Sequence, residues 1–128
     1  MSSKAVTIWN EYATAWTNVP DQERRQILDR VLAADLAYSG PTGVSTGHEG
    51  VIRDIESIQA KVPGASFVAR NAYAHHDFAL IEWQLILPDG KGNAMGYDSI
   101  RLSTDGKTDG KIGSIVWFAK DAPASPSA

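Results

Sequence analysis

The sequence predicts an α+β fold, three helices followed by a curved antiparallel sheet, because its hydrophobic period changes once along the chain. Up to Val62 the apolar side chains recur at helical spacing, whereas from Ala65 onward they alternate. Turn-forming clusters then cut the alternating half into four segments. The chain has 128 residues, 43% of them hydrophobic and 21% charged. That suits a single domain with one core, here residues 1–120.

Each element has its own signal. Ala5, Ile8, Trp9, Tyr12, Ala13 and Trp16 form an aromatic helical stripe, which Asn18-Val19-Pro20 ends. In DQERRQILDRVLAADL (21–36) acids crowd the first turn, and Ile27, Leu28, Val31, Leu32 and Leu36 line one face, the order a helix dipole favours. The glycine-rich stretch SGPTGVSTG (39–47) reads as a loop. Thr46-Gly47-His48-Glu49 then matches a capping box for a third helix carrying Val51, Ile52, Ile55, Ile58 and Val62, stopped by Pro63-Gly64. The runs 66–75, 78–87, 94–103 and 112–120 read as strands of a meander, joined at His76-Asp77, at PDGKGN (88–93) and at TDGKTDGK (104–111). The tail DAPASPSA (121–128) has the composition of a disordered segment.

Charge and composition exclude several partners. A formal net charge of −3 with dispersed lysines and arginines leaves no footprint for nucleic acid. The absence of cysteine removes disulfides, thiolate metal sites and thiol nucleophiles, and is compatible with a reducing cytoplasm. No run approaches the roughly 18 apolar residues of a membrane span, and the N-terminal stretch has no apolar signal region, so a soluble cytoplasmic protein is expected. His75-His76-Asp77 has the residue types of a metal site, but strand neighbours point to opposite faces and a turn splays them further. No metal is expected there.

The stretch AMGYDSIRL (94–102) carries the chemistry. Counting by two from Asp98 puts Gly96, Ile100 and Leu102 on its face, and Met95, Tyr97, Ser99 and Arg101 on the other. An acid on the apolar face, with no lysine or arginine beside it on that face, implies a pocket and a raised pKa.

The order of elements, with WNEYATAW (9–16), GHEGVIRDI (47–55), EWQLILPDG (82–90), GYDSIRL (96–102) and DGKIGSIVWF (109–118), resembles the SnoaL-like branch of the nuclear transport factor 2-like superfamily over roughly residues 5–119. The resemblance implies a cone-shaped fold whose helices cover one concave face of the sheet, a form that hosts isomerases, cyclases, dehydratases, hydrolases and non-catalytic binding proteins. Relative to ketosteroid isomerase within that superfamily, Tyr12 and Asp98 fall at the places of the two oxyanion-hole groups; a protonated aspartate in that role is a worked case of pKa tuning. The isomerase's base corresponds to Gly40 in DLAYSGP (35–41), so the base is missing and efficient steroid isomerisation is not expected. Polyketide cyclases of the SnoaL type use a pocket aspartate as acid/base, a role the resemblance gives to Asp98. It also places Asp35 and Tyr38 near the pocket mouth.

Two function classes follow. One is a cofactor-independent acid/base enzyme for a small apolar molecule bearing a carbonyl or hydroxyl, with Asp98, Tyr12 and His75 as catalytic candidates and Trp9, Trp16, Tyr38, Trp83, Ile100, Ile115 and Trp117 as pocket wall. The other is a non-catalytic ligand-binding or dimerisation module, in which Asp98 only organises the pocket and Tyr12 is a core residue. The outer face of the meander, with Val68, Phe78, Leu80, Ile86 and Phe118 among Arg70, Glu82, Gln84 and Arg101, is too apolar for a solvated surface and predicts a homodimer through the sheets.

Overall fold

The computed structural model describes residues 3–104, 106 and 110–120; the tail 121–128 and part of the last predicted turn lie outside them. The elements are α1 (Lys4–Thr14), α2 (Asp21–Val31), β1 (Leu32–Gly40), β2 (Gly43–Thr46), α3 (Glu49–Lys61), β3 (Ser66–His75), β4 (Phe78–Ile86), β5 (Gly92–Leu102) and β6 (Ile112–Ala119). All six strands form one sheet in the order β2-β1-β6-β5-β4-β3. The predicted meander is present as β3 to β6, every neighbouring pair antiparallel. Trp9, Tyr12, Leu28, Val51 and Ile55 from the helices share one buried core with Ile81, Ile100, Ile112 and Ile115 from the sheet.

Two strands were not expected. The second helix stops at Val31 instead of running to Leu36, and β1 follows immediately, parallel to β6 and antiparallel to β2, making the sheet mixed. Alanine and leucine in 32–37 favour a helix only weakly. Pairing with β6 satisfies backbone groups that would otherwise lie on an open edge, and Leu36 and Tyr38 alternate inward while Ala37 faces out. The supposed loop 39–47 is largely the β1–β2 hairpin. The predicted capping box does not form either: Thr46 lies in β2, and His48, the residue before α3, makes no side-chain cap. Its ring instead meets the Ala33 carbonyl at 2.9 Å and Asp29 at 3.5 Å.

One irregularity in β3 changes what the sheet presents. Phe67 and Ala69 lie opposite Leu85 and Trp83, but the register then slips by one residue at Arg70, so that Asn71, Tyr73 and His75 face Glu82, Leu80 and Phe78. A bulge of this kind sends every later side chain to the opposite face from strict alternation. The outer face therefore exposes Tyr73, Phe78, Leu80, Val116 and Phe118, with the Arg101 guanidinium 5.5 Å above the Phe78 ring. Glu82, on the same side, is covered by Asn71 at 2.6 Å and Lys120 at 2.7 Å, and the Lys120 ammonium holds its carboxyl below the usual range.

The α1–α2 connection is fixed by a buried cation. Arg24 donates Nε to the Ala15 carbonyl at 3.0 Å and Nη2 to the carbonyls of Thr17 and Val19 at 3.0 and 3.2 Å. These acceptors sit just past the end of α1, where it runs out of helical partners, and two of them flank Trp16. Replacing Arg24 by methionine keeps the apolar stem but orphans three carbonyls, and is expected to cost about 3 kcal/mol in chemical denaturation. A loss below about 1 kcal/mol would show that water serves these carbonyls equally well.

Candidate functional site

The site is built around Asp98. Its carboxylate is 5% exposed and accepts two hydrogen bonds, both from tryptophan: Trp9 Nε1 on α1 donates to Oδ2 at 2.8 Å and Trp83 Nε1 on β4 donates to Oδ1 at 3.2 Å. No ion pair among the described residues includes it. Glycine makes the Trp83 contact possible. Gly96 lies opposite Trp83 across the β4–β5 ladder, and a Cβ there would run into the Trp83 ring and the Phe118 carbonyl. The indole can therefore lie flat over β5 and reach the carboxylate two residues further along the same face.

Burial pushes the Asp98 carboxyl up from the ordinary 3.8 to about 6, and the two indole donors oppose the rise without cancelling it. Burial also pushes the neighbouring Tyr12 phenol up, with the Asp98 charge adding to the effect. The Trp16 indole stands beside the Tyr12 hydroxyl and tempers that rise. Its geometry falls short of a hydrogen bond, and Trp16 Nε1 has no partner.

These side chains line a small inner chamber with a cavity volume of about 20 Å³, walled by Trp9, Tyr12, Ala13, Trp16, Phe67, Trp83, Asp98 and Trp117. An adjoining outer chamber of about 110 Å³ shares Trp16, Phe67, Trp83 and Trp117 and adds Pro41, Ile58, Leu85 and Ala94. The rings interlock edge to face, Trp16 on Phe67 at 5.4 Å and Phe67 on Trp83 at 5.1 Å, while Trp83 stacks on Trp117 at 5.9 Å. Such contacts hold a wall in place without polar groups.

Of the residues singled out in the sequence, Asp98, Tyr12, Trp9, Trp16, Trp83 and Trp117 converge. Ile100 and Ile115 are core residues that line neither chamber. Tyr38 is buried away from any mouth and donates to Asp54 Oδ2 at 2.6 Å, and Asp35 is exposed on β1. His75 does not converge at all: the Arg70 bulge puts it on the outer face, stacked on Phe78 at 5.6 Å. Its Nδ1 lies 3.3 Å from His76 Nδ1, because a positive φ of 52° at His76 folds that ring back instead of splaying it. Among the described residues no group of three metal-binding side chains assembles.

Sequence reasoning missed Phe67 and Asp54. Phe67 follows from its parity with Trp83. Asp54 is 1% exposed and lies beside Val51 and Ile55 on the apolar face of α3, an acid out of place in the same way as Asp98. Thr42 Oγ1 donates to its Oδ1 at 2.6 Å, the second hydroxyl after Tyr38. The Asp54 carboxylate and the Tyr38 hydroxyl occupy the space that a side chain at Gly40 would need. Position 40 thus lacks a base and has no room for one.

Comparison with known proteins gives the frame. No protein-family model and no curated protein sequence matches the chain. Among solved structures, a candidate isomerase of the SnoaL-like family from Agrobacterium tumefaciens is 30% identical, with a TM-score of 0.79 over 93% of this chain and 99% of that one. The chain belongs to the SnoaL-like family. Two candidate polyketide cyclases share the fold at lower identity: one from Jannaschia, at 13%, with a TM-score of 0.69 over 91% of this chain and 85% of that one, and one from Sinorhizobium meliloti, at 18%, with a TM-score of 0.61 over 87% and 93%. In this SnoaL-like chain the ionisable lining of the inner chamber is Asp98 and Tyr12.

The raised pKa of Asp98 fixes the sign of a stability effect. The native state holds a proton that the unfolded chain has already released between pH 4 and 6, so stability falls as pH rises through that window and levels off above it. Relative to Asp98→Asn, the wild type is expected to lose about 2 kcal/mol between pH 4 and pH 7 in chemical denaturation. Parallel pH profiles for the two proteins would mean that Asp98 is solvated.

Proposed function

We propose that the protein is a cofactor-independent acid/base enzyme of the cyclase, isomerase, dehydratase or hydrolase type, acting on a small, flat, apolar molecule with a carbonyl or hydroxyl group inside a cone-shaped chamber. The observation that carries this reading is a buried carboxyl at the chamber end, held only by two indole N–H groups and raised to about 6. A group titrating there is mostly ionised at neutral pH, is more basic than an ordinary carboxylate, and is easily protonated. Asp98 would take a proton from a carbon next to the substrate carbonyl and return it elsewhere on the same molecule. Tyr12, kept protonated by its raised pKa, would donate a hydrogen bond to the oxygen on which charge develops.

The lack of space at Gly40 narrows the chemistry. An enzyme with two opposed carboxylates could shuttle a proton across a large steroid, whereas here Asp98 acts alone in a small chamber. This supports a short-range proton transfer, as in aldol-type cyclisation or dehydration, and argues against turnover of a β,γ-unsaturated ketosteroid. Gly40→Asp would not install the missing base, because the new side chain would collide with Tyr38 and Asp54. A second reading, a non-catalytic ligand-binding module of the same fold, is favoured by the placement of His75, which leaves the chamber with a single carboxylate.

A carbon acid separates the two readings. 2-Tetralone, a flat bicyclic ketone, exchanges its α-protons for deuterium when a base is presented, and proton NMR follows the loss. Wild type is expected to accelerate exchange, with a rate that rises through pH 6 and then levels as Asp98 ionises, and Asp98→Asn to lower the rate about 10²-fold or more. Exchange no faster than in buffer would remove the enzyme and leave the binding module, which native mass spectrometry of a co-purified ligand would then identify.

The exposed outer face supports assembly. We propose a cytoplasmic homodimer in which Tyr73, Phe78, Leu80, Val116 and Phe118 of two copies cover one another; the patch draws on β3, β4 and β6 and has Phe118 at 52% exposure. No described helix is long and apolar enough to cross a membrane. Sedimentation is expected to show a dimer at micromolar concentration that Phe118→Glu converts to monomer; a monomeric wild type would count against the interface.

A further inference from the structure

Four tryptophans line the inner chamber, and the indole N–H groups of the three buried ones have different fates. Those of Trp9 and Trp83 are used on Asp98. Trp16 is 7% exposed, walls both chambers, and its Nε1 has no hydrogen-bond partner. A buried donor left unpaired costs about 1–3 kcal/mol. The Tyr12 hydroxyl stands beside this N–H without reaching hydrogen-bond geometry, and the indole packs in T-shaped contacts against the rings of Tyr12 and Phe67. Its backbone is also tied down: Gln59 Nε2 on α3 donates to the Trp16 carbonyl at 2.8 Å, and Arg24 grips the carbonyls of the residues on either side.

We infer that Trp16 is a specificity-determining contact, its indole N–H receiving a neutral oxygen acceptor, a carbonyl or an ether, on an apolar molecule that spans the inner and outer chambers. The acceptor is neutral because neither chamber is lined by lysine or arginine, and the nearby Asp98 carboxylate repels an anion. The rest of the molecule is apolar because the outer chamber offers only tryptophan, phenylalanine and aliphatic surface. The contact rests on the pocket reading above but not on catalysis; a binding module would use it equally. It also defines a class of ligand, one with a hydrogen-bond acceptor at the shared wall, distinct from the group that reaches Asp98.

The test is a matched pair of ligands. 2-Acetylnaphthalene and 2-isopropenylnaphthalene share a shape and differ in a carbonyl oxygen against a methylene. Their affinities for wild type and Trp16→Phe can be read by ligand-observed NMR, which does not depend on tryptophan fluorescence. Wild type is expected to prefer the ketone about tenfold, and Trp16→Phe to lose most of that preference while still binding the hydrocarbon. Thermal melts confirm that the variant is folded. Equal affinity of wild type for both ligands, or a preference that survives in Trp16→Phe, would overturn the assignment while leaving the pocket intact. Failure of both ligands to bind would overturn the pocket and this contact together.

Discussion

A carboxylate taken out of water and given two indole hydrogen bonds in place of a cation is the interaction on which the rest of this structure depends. Removing a carboxylate from solvent without a counter-ion is costly, and the two N–H donors at 2.8 and 3.2 Å offset only part of that cost. Keeping both donors in place requires Gly96, so that Trp83 can lie across β5, and a well-anchored α1, so that Trp9 reaches down from the helix layer. Arg24 and Gln59 fix the far end of that helix segment through its carbonyls. A site that looks local is thus held by groups on α1, α2, α3, β4 and β5.

Among the described residues two aspartates are buried without a cationic partner, and their surroundings differ. Asp54 is served by the short hydroxyl donors of Tyr38 and Thr42 and sits where Gly40 leaves space, so it pins the β1–β2 hairpin to α3. Asp98 is served by weaker, more rigid donors and opens onto a chamber. The difference explains why one carboxylate reads as structural and the other as chemical, although the sequence presents both as acids on an apolar face.

Much of this was legible in the residues. The change of period at residue 65 separates helices from meander because burial on one face imposes a repeat of 3.6 or of 2. The parity of Asp98 with Ile100 placed the acid indoors for the same reason. Legibility failed where long-range pairing overrode a local signal. Residues 32–36 carry apolar positions that satisfy a helix, and only the open edge of β6, some eighty residues further on, draws them into a strand. His75 was misplaced by the single slip at Arg70, which no alternation pattern announces. Asp54 was visible as an acid beside Val51 and Ile55, but its partners Tyr38 and Thr42 come from a hairpin that local reasoning had taken for a loop.

The central claim is that Asp98 is a desolvated carboxyl without a cationic partner, and its own ionisation tests this most directly. Carbon-detected NMR of aspartate-labelled protein, with the resonance assigned by its absence in Asp98→Asn, follows the side-chain carboxyl across the pH range. The account predicts a midpoint near 6. A midpoint at or below the ordinary aspartate value of about 4 would mean that water or a cation reaches the carboxylate, and would contradict the account.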